Sequence, residues 1–381
     1  MNFNLSEEQQ LLSDSLQRLL QDHYAFNKRK AIVDSETGSS PRAWAQLARM
    51  GVTGLGIPEA FGGLGGGNAE RLVVMQCFGR FLVQEPYLAS VVLGATAVRE
   101  AGSDAQKRVV LPGVANGEVK LAWAHDEDAA GHDALWVEVR ASRDEGGGRG
   151  WRLDGVKNPV LHAHSADRIV VTARISGEPG DDAGLALFIV DPKAVGVSLR
   201  RNRLIDDTPA AELSLAGAPA EPLGDTADGT RALAAIRTTQ ADGTAAACAD
   251  MVGAMESAFE LTRDYLKTRK QFGKLIGEYQ ALRHRLADMS VALEVSRSMA
   301  IAAAVAADDP TGADSTTDLP RAKLVIGRHA RMLCEAAIQS HGGIGMTLEY
   351  AVGNSLRRVH VLDQLFGDSH VQAARLAAMQ A

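Results

Sequence analysis

The stretch TRKQFGKLIGEYQALRHRLADM, residues 268–289, brings together residues of the kinds that hold a diphosphate. Arg269 follows a long helical pattern, Phe272 and Gly273 form a turn, and Gln280 opens the next helix. A planar guanidinium binds phosphate through two hydrogen bonds, a glycine lets the backbone come close, and an amide side chain contacts a second group of the same ligand. Alone, Arg269 is more typical of a surface ion pair and Phe272 of a core residue, so the prediction of a ligand site depends on the whole set.

The apolar periodicity on both sides of this stretch predicts helices, then strands, then helices. Helical spacing gives way to twofold alternation at about Val119, in segments such as RIVVTARI and LALFIVD, and returns at about Gly229. The pattern predicts an α+β protein built from three domains. These are an N-terminal helical domain (1–118), a central antiparallel β domain (119–227) and a C-terminal four-helix-bundle domain (228–381).

A second glycine-rich stretch, AIQSHGGIGMTLEY at 337–350, places Gln339 shortly before the pair Gly342 and Gly343. On its own, this pattern is typical of a helix C-cap followed by a turn. Together with the first stretch, it resembles the acyl-CoA dehydrogenase family, whose members carry Arg-x-x-Phe-Gly, then a Gln, and later Gln-x-x-Gly-Gly-x-Gly-x-Thr. The resemblance covers the whole chain, and the family has the same α-β-α order.

The resemblance implies an activity and a cofactor. Members of this family remove two hydrogens from an acyl-CoA thioester to give a trans-2-enoyl-CoA, and the reduced flavin passes its electrons to an electron-transfer flavoprotein. In them, the matching arginine and glutamine hold the FAD of a neighbouring subunit, which implies at least a dimer. The FAD-binding candidates are Arg269, Phe272, Gln280, Gln339, Gly342, Gly343 and Ser369.

Two further stretches resemble one branch of the family. QEPYLASVVLG at 84–94 and HGGIGMTLEY at 341–350 are similar to the small subunits of pimeloyl-CoA dehydrogenases. This resemblance implies either a homo-oligomer or a heterotetramer with a homologous large subunit. The alternative function is therefore a non-catalytic partner subunit that completes the FAD site of the large subunit.

The strands that contact flavin in the family depart from its pattern. Where members carry Thr-Glu-Pro-x-Ala-Gly-Ser-Asp, this chain has AWAHDEDAAGHD, with Ala124 or His125 in place of the threonine and His132 in place of the serine. On the second flavin strand, Leu161 and His162 stand where threonine and asparagine belong. The loss of these side-chain contacts predicts weaker flavin binding than is usual in the family.

The residue that takes up the α proton is not where the family has it. Members use the Glu of a Glu-Gly-Thr-Ser run, and alignment on LFGDSHVQ at 365–372 puts Phe366 or Gly367 at that glutamate. Asp368 is the candidate catalytic base, and its other interpretation is an N-cap of the last helix. The remaining alternatives are a partner subunit and Asp242, which adjoins the position where some members place the base.

Composition and charge exclude several other classes of protein. The 381 residues carry a formal net charge of −7 at pH 7, which argues against a nucleic-acid or anionic-membrane surface. Cys77, Cys248 and Cys334 are far apart within apolar helical patterns, as expected of buried free thiols rather than disulfides or metal ligands. The start lacks a basic and apolar leader, and no apolar run approaches a membrane span, so we expect a cytoplasmic protein.

Overall fold

The computed structural model describes residues 5–144, 150–226, 229–309, 312 and 315–379. Most of the hairpin turn that DEGGGRG predicts at 144–150 lies outside the described residues. The chain forms two compact units. We call them the helical unit (Met1–Ala31, Asn68–Val83 and Thr244–Ala381) and the sheet unit (Ile32–Gly67 and Gln84–Gly243).

Six α-helices precede the sheet within the described residues. They are α1 Glu7–His23, α2 Phe26–Val33, α3 Pro41–Arg49, α4 Asn68–Phe81, α5 Ala95–Ala101 and α6 Asp104–Ala115, with a π-helical segment, Leu88–Gly94, before α5. α1 begins at a capping box, in which Gln9 N donates to Ser6 Oγ at 3.2 Å and Ser6 N donates to Gln9 Oε1 at 3.0 Å. Its apolar stripe buries Leu16 and Leu20 completely.

Seven strands form one sheet in the described part of the sheet unit. They are β1 Leu121–Ala124, β2 Arg140–Arg143, β3 Trp151–Leu161, β4 Arg168–Arg174, β5 Leu185–Val190, β6 Val197–Arg203 and β7 Pro209–Pro222. The order is β1-β4-β2-β3-β7-β5, β6 pairs with β7, and a further β4–β5 pairing closes the strands on themselves. Most pairs are antiparallel, as predicted, whereas β4 pairs in parallel with β1 and β2. The enclosed core is apolar, with Leu153, Val171 and Phe188 fully buried.

Helices return after the sheet, with one small hairpin among them. The elements are α7 Gly229–Thr268, β8 Lys270–Gln271, β9 Lys274–Leu275, α8 Gln280–Asp308, α9 Ser315–His341, α10 Ala351–Gln364 and α11 Ser369–Ala378. In the helical unit, α9 packs against α8, α10 and α11. The backbones of α4 and α7 touch at two glycines: a Cβ on Gly79 would lie 1.8 Å from Asp250 O, and one on Gly253 would lie 1.9 Å from Gln76 O. The three cysteines are free and buried, as predicted.

Helix α8 is long and apolar enough, by length and composition alone, to cross a membrane. Its sequence contains no uninterrupted apolar run of that length, because charged residues divide the helix. Only the mean hydropathy of an 18-residue window is high enough to meet the test. Of the 18-residue window that meets this test, 44% is buried, and α8 packs against α4 and α9. A core helix of a bundle meets the same criteria, so this composition is weak evidence for a span.

Candidate active site

The loop between α10 and α11 holds a backbone conformation that side chains rarely adopt. Phe366 has φ +63° and Gly367 has φ +91°, both in the left-handed region, where a bulky residue such as phenylalanine is strained. Gln372 holds this loop, since its Nε2 donates to Phe366 O at 2.9 Å and to Gly367 O at 3.1 Å. The backbone at the expected position of the base is therefore firmly held, but it carries an aromatic side chain.

A buried lysine fixes the end of α10 just before this loop. Lys323 on α9 is fully buried, and its Nζ donates to Leu362 O and, at 2.9 Å, to Asp363 O. These carbonyls lie in the last turn of α10, where intrahelical donors are missing. Burial lowers the pKa of Lys323 below its ordinary value. The loop therefore starts from a helix end that is tied to α9.

Asp368 caps α11, which confirms the N-cap interpretation. Its Oδ1 accepts hydrogen bonds from His370 N and Val371 N, each at 2.9 Å, while Gln364 Nε2 lies 3.5 Å from Oδ2. Partial burial acts to raise the pKa of Asp368, but the hydrogen bonds from Val371 N, His370 N and Gln364, with the charge of His370, together outweigh it and hold the pKa below its ordinary value. Ser369 follows as the buried first residue of α11. A second role for Asp368, as the base, stays a prediction.

Asp242 lies on the part of α7 that belongs to the sheet unit. Its side chain is buried, accepts a hydrogen bond from Thr96 Oγ1 at 2.8 Å, and lies 3.7 Å from Arg99 Nη2. These contacts suit the packing of α5 on α7 better than proton uptake from a substrate.

The Arg-x-x-Phe-Gly turn forms the exposed hairpin of β8 and β9. Ile276 N donates to Arg269 O at 2.9 Å, and Phe272 has φ +54° with 92% of its surface exposed. The side chains of Arg269 and Gln280 are exposed and make no hydrogen bond or ion pair with the described residues. A guanidinium, an amide and a phenyl group are thus available here to a ligand or to another chain.

The second glycine stretch ends α9 in an open turn. Gly342 has φ +65°, and no atom of the described residues lies within 4 Å of where a Cβ on Gly342 or Gly343 would be. Gln339, in the last turn of α9, is exposed. The buried ring of His341 stacks on Tyr265 with centroids 4.5 Å apart, which supports the turn from the protein side. The turn therefore leaves room for a diphosphate against the backbone.

The two strands aligned with the family's flavin strands lie in the sheet unit. Trp123 on β1 is buried, and its Nε1 has no hydrogen-bond partner in the described part of the chain. Its ring stacks on His125 with centroids 5.5 Å apart, and His162 follows β3 with φ +54°. Because buried N–H groups are normally paired, a carbonyl from outside the chain would satisfy the Trp123 donor. This donor and the open glycine turn both fit FAD.

A buried polar network lies beside β1. Lys157 on β3 is fully buried, and its Nζ lies 2.7 Å from Glu127 Oε1 and donates to His125 O and Thr172 Oγ1, both at 2.9 Å. Glu127 Oε1 also accepts from Val139 N at 3.1 Å. Every hydrogen of the ammonium group is therefore used, and the network ties the end of β1 to β3 and β4.

The network also fixes the protonation of His125. Thr172 Oγ1 accepts from Lys157 Nζ and also shares a hydrogen bond of 3.1 Å with His125 Nδ1, in which either atom can be the donor. Burial, and then the charge of Lys157, lower the pKa of His125 to about 3. Burial also lowers the pKa of Lys157 to about 8, against the opposing charge of Glu127. His125 is thus a neutral ring at neutral pH. Sequence reasoning missed this network because no spacing rule links residues of separate strands.

Comparison with known proteins gives matches over almost the whole chain. Models of the acyl-CoA dehydrogenase N-terminal, middle and C-terminal domains match residues 6–118, 122–217 and 233–380. A probable acyl-CoA dehydrogenase, YngJ of Bacillus subtilis, is 27% identical in an alignment that covers 99% of this chain and 99% of YngJ. The caffeyl-CoA reductase-Etf complex subunit CarC of Acetobacterium woodii is 28% identical over 90% of this chain and 91% of its own. A solved structure of a variant of the Tcur3481-Tcur3483 steroid ACAD is 30% identical, covers 98% of both chains and has a TM-score of 0.86.

Proposed function

The chain belongs to the acyl-CoA dehydrogenase family, and we propose that it serves the FAD-dependent α,β-dehydrogenation of an acyl-CoA thioester together with a homologous catalytic subunit. The loop at Phe366 carries this proposal. The fold and the segments that suit FAD are present, while the residues aligned with the family's base, Phe366 or Gly367, carry no carboxylate and have left-handed backbone conformations. A carboxylate at that position is what the family reaction needs to remove the α proton.

FAD is the family cofactor, and when bound it supplies the acceptor for the hydride that leaves the substrate β-carbon. Arg269 and Gln280, exposed and without partners among the described residues, would hold the diphosphate and adenosine side of an FAD bound to a neighbouring subunit. Gln339 would contact the same ligand from α9. Gly342 and Gly343 would let it approach the backbone.

Asp368 is our proposed base for any turnover at this chain's own site. Its Oδ1 is occupied by two backbone N–H groups, so Oδ2 is the atom left to accept a proton. The hydrogen bonds that hold the pKa of Asp368 below its ordinary value also make it a weaker base. A subunit with a glutamate in this loop would therefore supply the faster site.

Apolar exposure supports a partner. Met346 and Leu348, just after the glycine turn, expose 76% and 75% of their surfaces, and Val291 on α8 exposes 65%. Contiguous exposed apolar groups mark interaction surfaces, and we infer that Met346 and Leu348, two residues apart, belong to one. The steroid ACAD that is 30% identical is named for two proteins, Tcur3481 and Tcur3483. This name favours a heteromeric assembly over a homo-oligomer, and we propose a heterotetramer with a large subunit.

An electron-transfer flavoprotein is the proposed electron acceptor, and the cytoplasm is the proposed location. The Etf complex to which the related CarC belongs supports the first proposal. The pimeloyl-CoA small-subunit resemblance stays a prediction, so pimeloyl-CoA is one substrate to test among straight-chain, dicarboxylic and polycyclic acyl-CoA thioesters.

The experiment is a gain of function at residue 366. The purified chain, reconstituted with FAD, is mixed with acyl-CoA thioesters, and bleaching of the flavin absorbance is followed in wild type, Phe366→Glu and the uncharged control Phe366→Gln. We expect slow or no reduction in wild type and Phe366→Gln, and faster reduction in Phe366→Glu, because the backbone there is already held by Gln372. Rapid turnover by the lone wild-type chain would contradict the need for a partner.

A further inference from the structure

A cleft of about 460 Å³ opens in the sheet unit, between the segment that follows α2 and the end of β6. Its walls include Asp34, Glu36 and Thr37 on one side and Arg201 and Arg203 on the other, with His164 between them. None of these residues belongs to the segments that suit FAD. The volume is in the range of small-molecule sites.

Charged residues of both signs line this cleft without forming an ion pair in the described part of the chain. Arg201 and Arg203 make no ion pair or hydrogen bond with the residues that the structure describes, and the same holds for Asp34 and Glu36. Arg200, their neighbour on β6, is different, because it pairs with Glu212. Opposite charges that line one cleft but stay beyond ion-pair distance leave a space that a ligand with both charges can bridge.

His164 adds an incompletely used polar group. Its Nε2 lies 3.2 Å from Thr37 O, which places a hydrogen on Nε2 and ties the ring to the first wall. Its Nδ1 is buried and has no hydrogen-bond partner in the described part of the chain. Burial, and more weakly Arg201 and Arg203, lower the pKa of His164, so at neutral pH Nδ1 is an acceptor that awaits a donor.

We propose that this cleft binds a small zwitterion, whose oxyanion is held by Arg201 and Arg203 and whose ammonium group lies against Asp34 and Glu36. An anion alone would leave the two carboxylates without a cationic partner. A cation alone would leave the two guanidinium groups without an anionic partner. A ligand with both charges satisfies the two walls. The oxyanion can be a phosphate or a carboxylate.

The test is isothermal titration of the full chain with four probes. O-phosphoethanolamine and γ-aminobutyrate carry both charges, inorganic phosphate carries only the anion, and ethanolamine carries only the cation. We expect at least one zwitterion to bind about tenfold more tightly than either single-charge probe, since each lost charge-assisted contact costs at least that factor. Preference for O-phosphoethanolamine would identify a phosphate ester, and preference for γ-aminobutyrate an amino acid.

Variants separate this site from chance binding elsewhere. Arg203→Gln and Glu36→Gln should each weaken zwitterion binding about tenfold or more, whereas Arg200→Gln, whose partner Glu212 lies outside the cleft lining, should leave it unchanged. The proposal is overturned if neither zwitterion binds, if inorganic phosphate binds equally well, or if Glu36→Gln has no effect. Because the titration measures neither FAD content nor flavin reduction, its result does not depend on the proposed dehydrogenase function.

Discussion

Replacing Asp368 separates its two possible roles, because asparagine keeps a helix cap but cannot act as a base. The structure shows two hydrogen bonds of 2.9 Å from His370 N and Val371 N to one side-chain oxygen. Loss of an N-cap costs about 1 kcal/mol, and loss of a negative charge at a helix N-terminus costs about 0.3–1 kcal/mol. We therefore expect Asp368→Ala to lower the free energy of unfolding by roughly 1–2 kcal/mol, and Asp368→Asn, which keeps the cap and loses the charge, by about 0.3–1 kcal/mol.

Urea unfolding followed by circular dichroism measures this difference, and flavin bleaching by an acyl-CoA measures the second role. If Oδ2 takes up the substrate proton, Asp368→Asn should slow flavin reduction by about 10²-fold or more at nearly unchanged stability and FAD content. If the two variants lose equal stability, the capping geometry is not what Asp368 contributes. Unchanged reduction in Asp368→Asn would instead assign the base to Asp242 or to the partner subunit.

The same carboxylate gives a signed pH dependence. Because the folded state holds the pKa of Asp368 below the ordinary value of 3.8, its contribution to stability is complete above that value. The contribution is lost as the pH falls through the lower folded pKa. The stability difference between wild type and Asp368→Asn should therefore be constant near neutrality and shrink only in strong acid.

Three further predictions concern FAD and the buried network. Arg269→Ala should weaken FAD binding by roughly 1.5–3 kcal/mol in a fluorescence titration. The control Arg263→Ala should leave FAD binding unchanged, because the Arg263 guanidinium pairs with Asp264. Equal losses of affinity in the two variants would show that Arg269 has no specific role. Lys157→Met should lower the free energy of unfolding by about 3–5 kcal/mol in urea, because it leaves the Glu127 carboxylate buried without its cation. Adding Glu127→Gln should restore part of that loss. No recovery in the double variant would mean that the two residues do not act as a pair. The wild-type chain should lose stability as the pH falls from 6.5 towards 3, because His125 becomes protonated in the unfolded state but stays neutral in the folded state. A plot of the free energy of unfolding against pH should therefore be flatter for His125→Gln. Identical plots would mean that other groups cause the acid sensitivity.

Periodicity predicted the order of helices and strands well, because each element buries one face and its spacing shows in the sequence. Direction within the sheet was harder. β1 is buried along its whole length, so it has no alternation that distinguishes a parallel from an antiparallel neighbour. The division into three domains at 118 and 227 stays a prediction: these boundaries fall between α6 and β1 and between β7 and α7, whereas the compact units are assembled from separate segments.

The candidate site was predictable where residue types act in sets and ambiguous where one residue fits two roles. Arg269 and Gln280 stood out as a set, and Gln339 was assigned through the resemblance to the acyl-CoA dehydrogenase family; the structure leaves all three exposed. Asp368 could not be assigned from sequence, because GDS before an apolar helix suits both a cap and a loop carboxylate. The strain at Phe366 was also hidden, since a positive φ at a phenylalanine has no sequence signal.

The discontinuous helical unit has a consequence for how the chain is made. Helix α4 touches α7 backbone to backbone at Gly79 and Gly253, yet the residues of the sheet unit are synthesised between them. After α1 and α4 leave the ribosome, the apolar surfaces that pack against the C-terminal helices therefore stay exposed until those helices are synthesised. During that interval α1 and α4 are natural clients for a chaperone. Release of a chain that stops before α7 would leave these two helices with only each other to pack against, because the C-terminal helices of the unit would be missing.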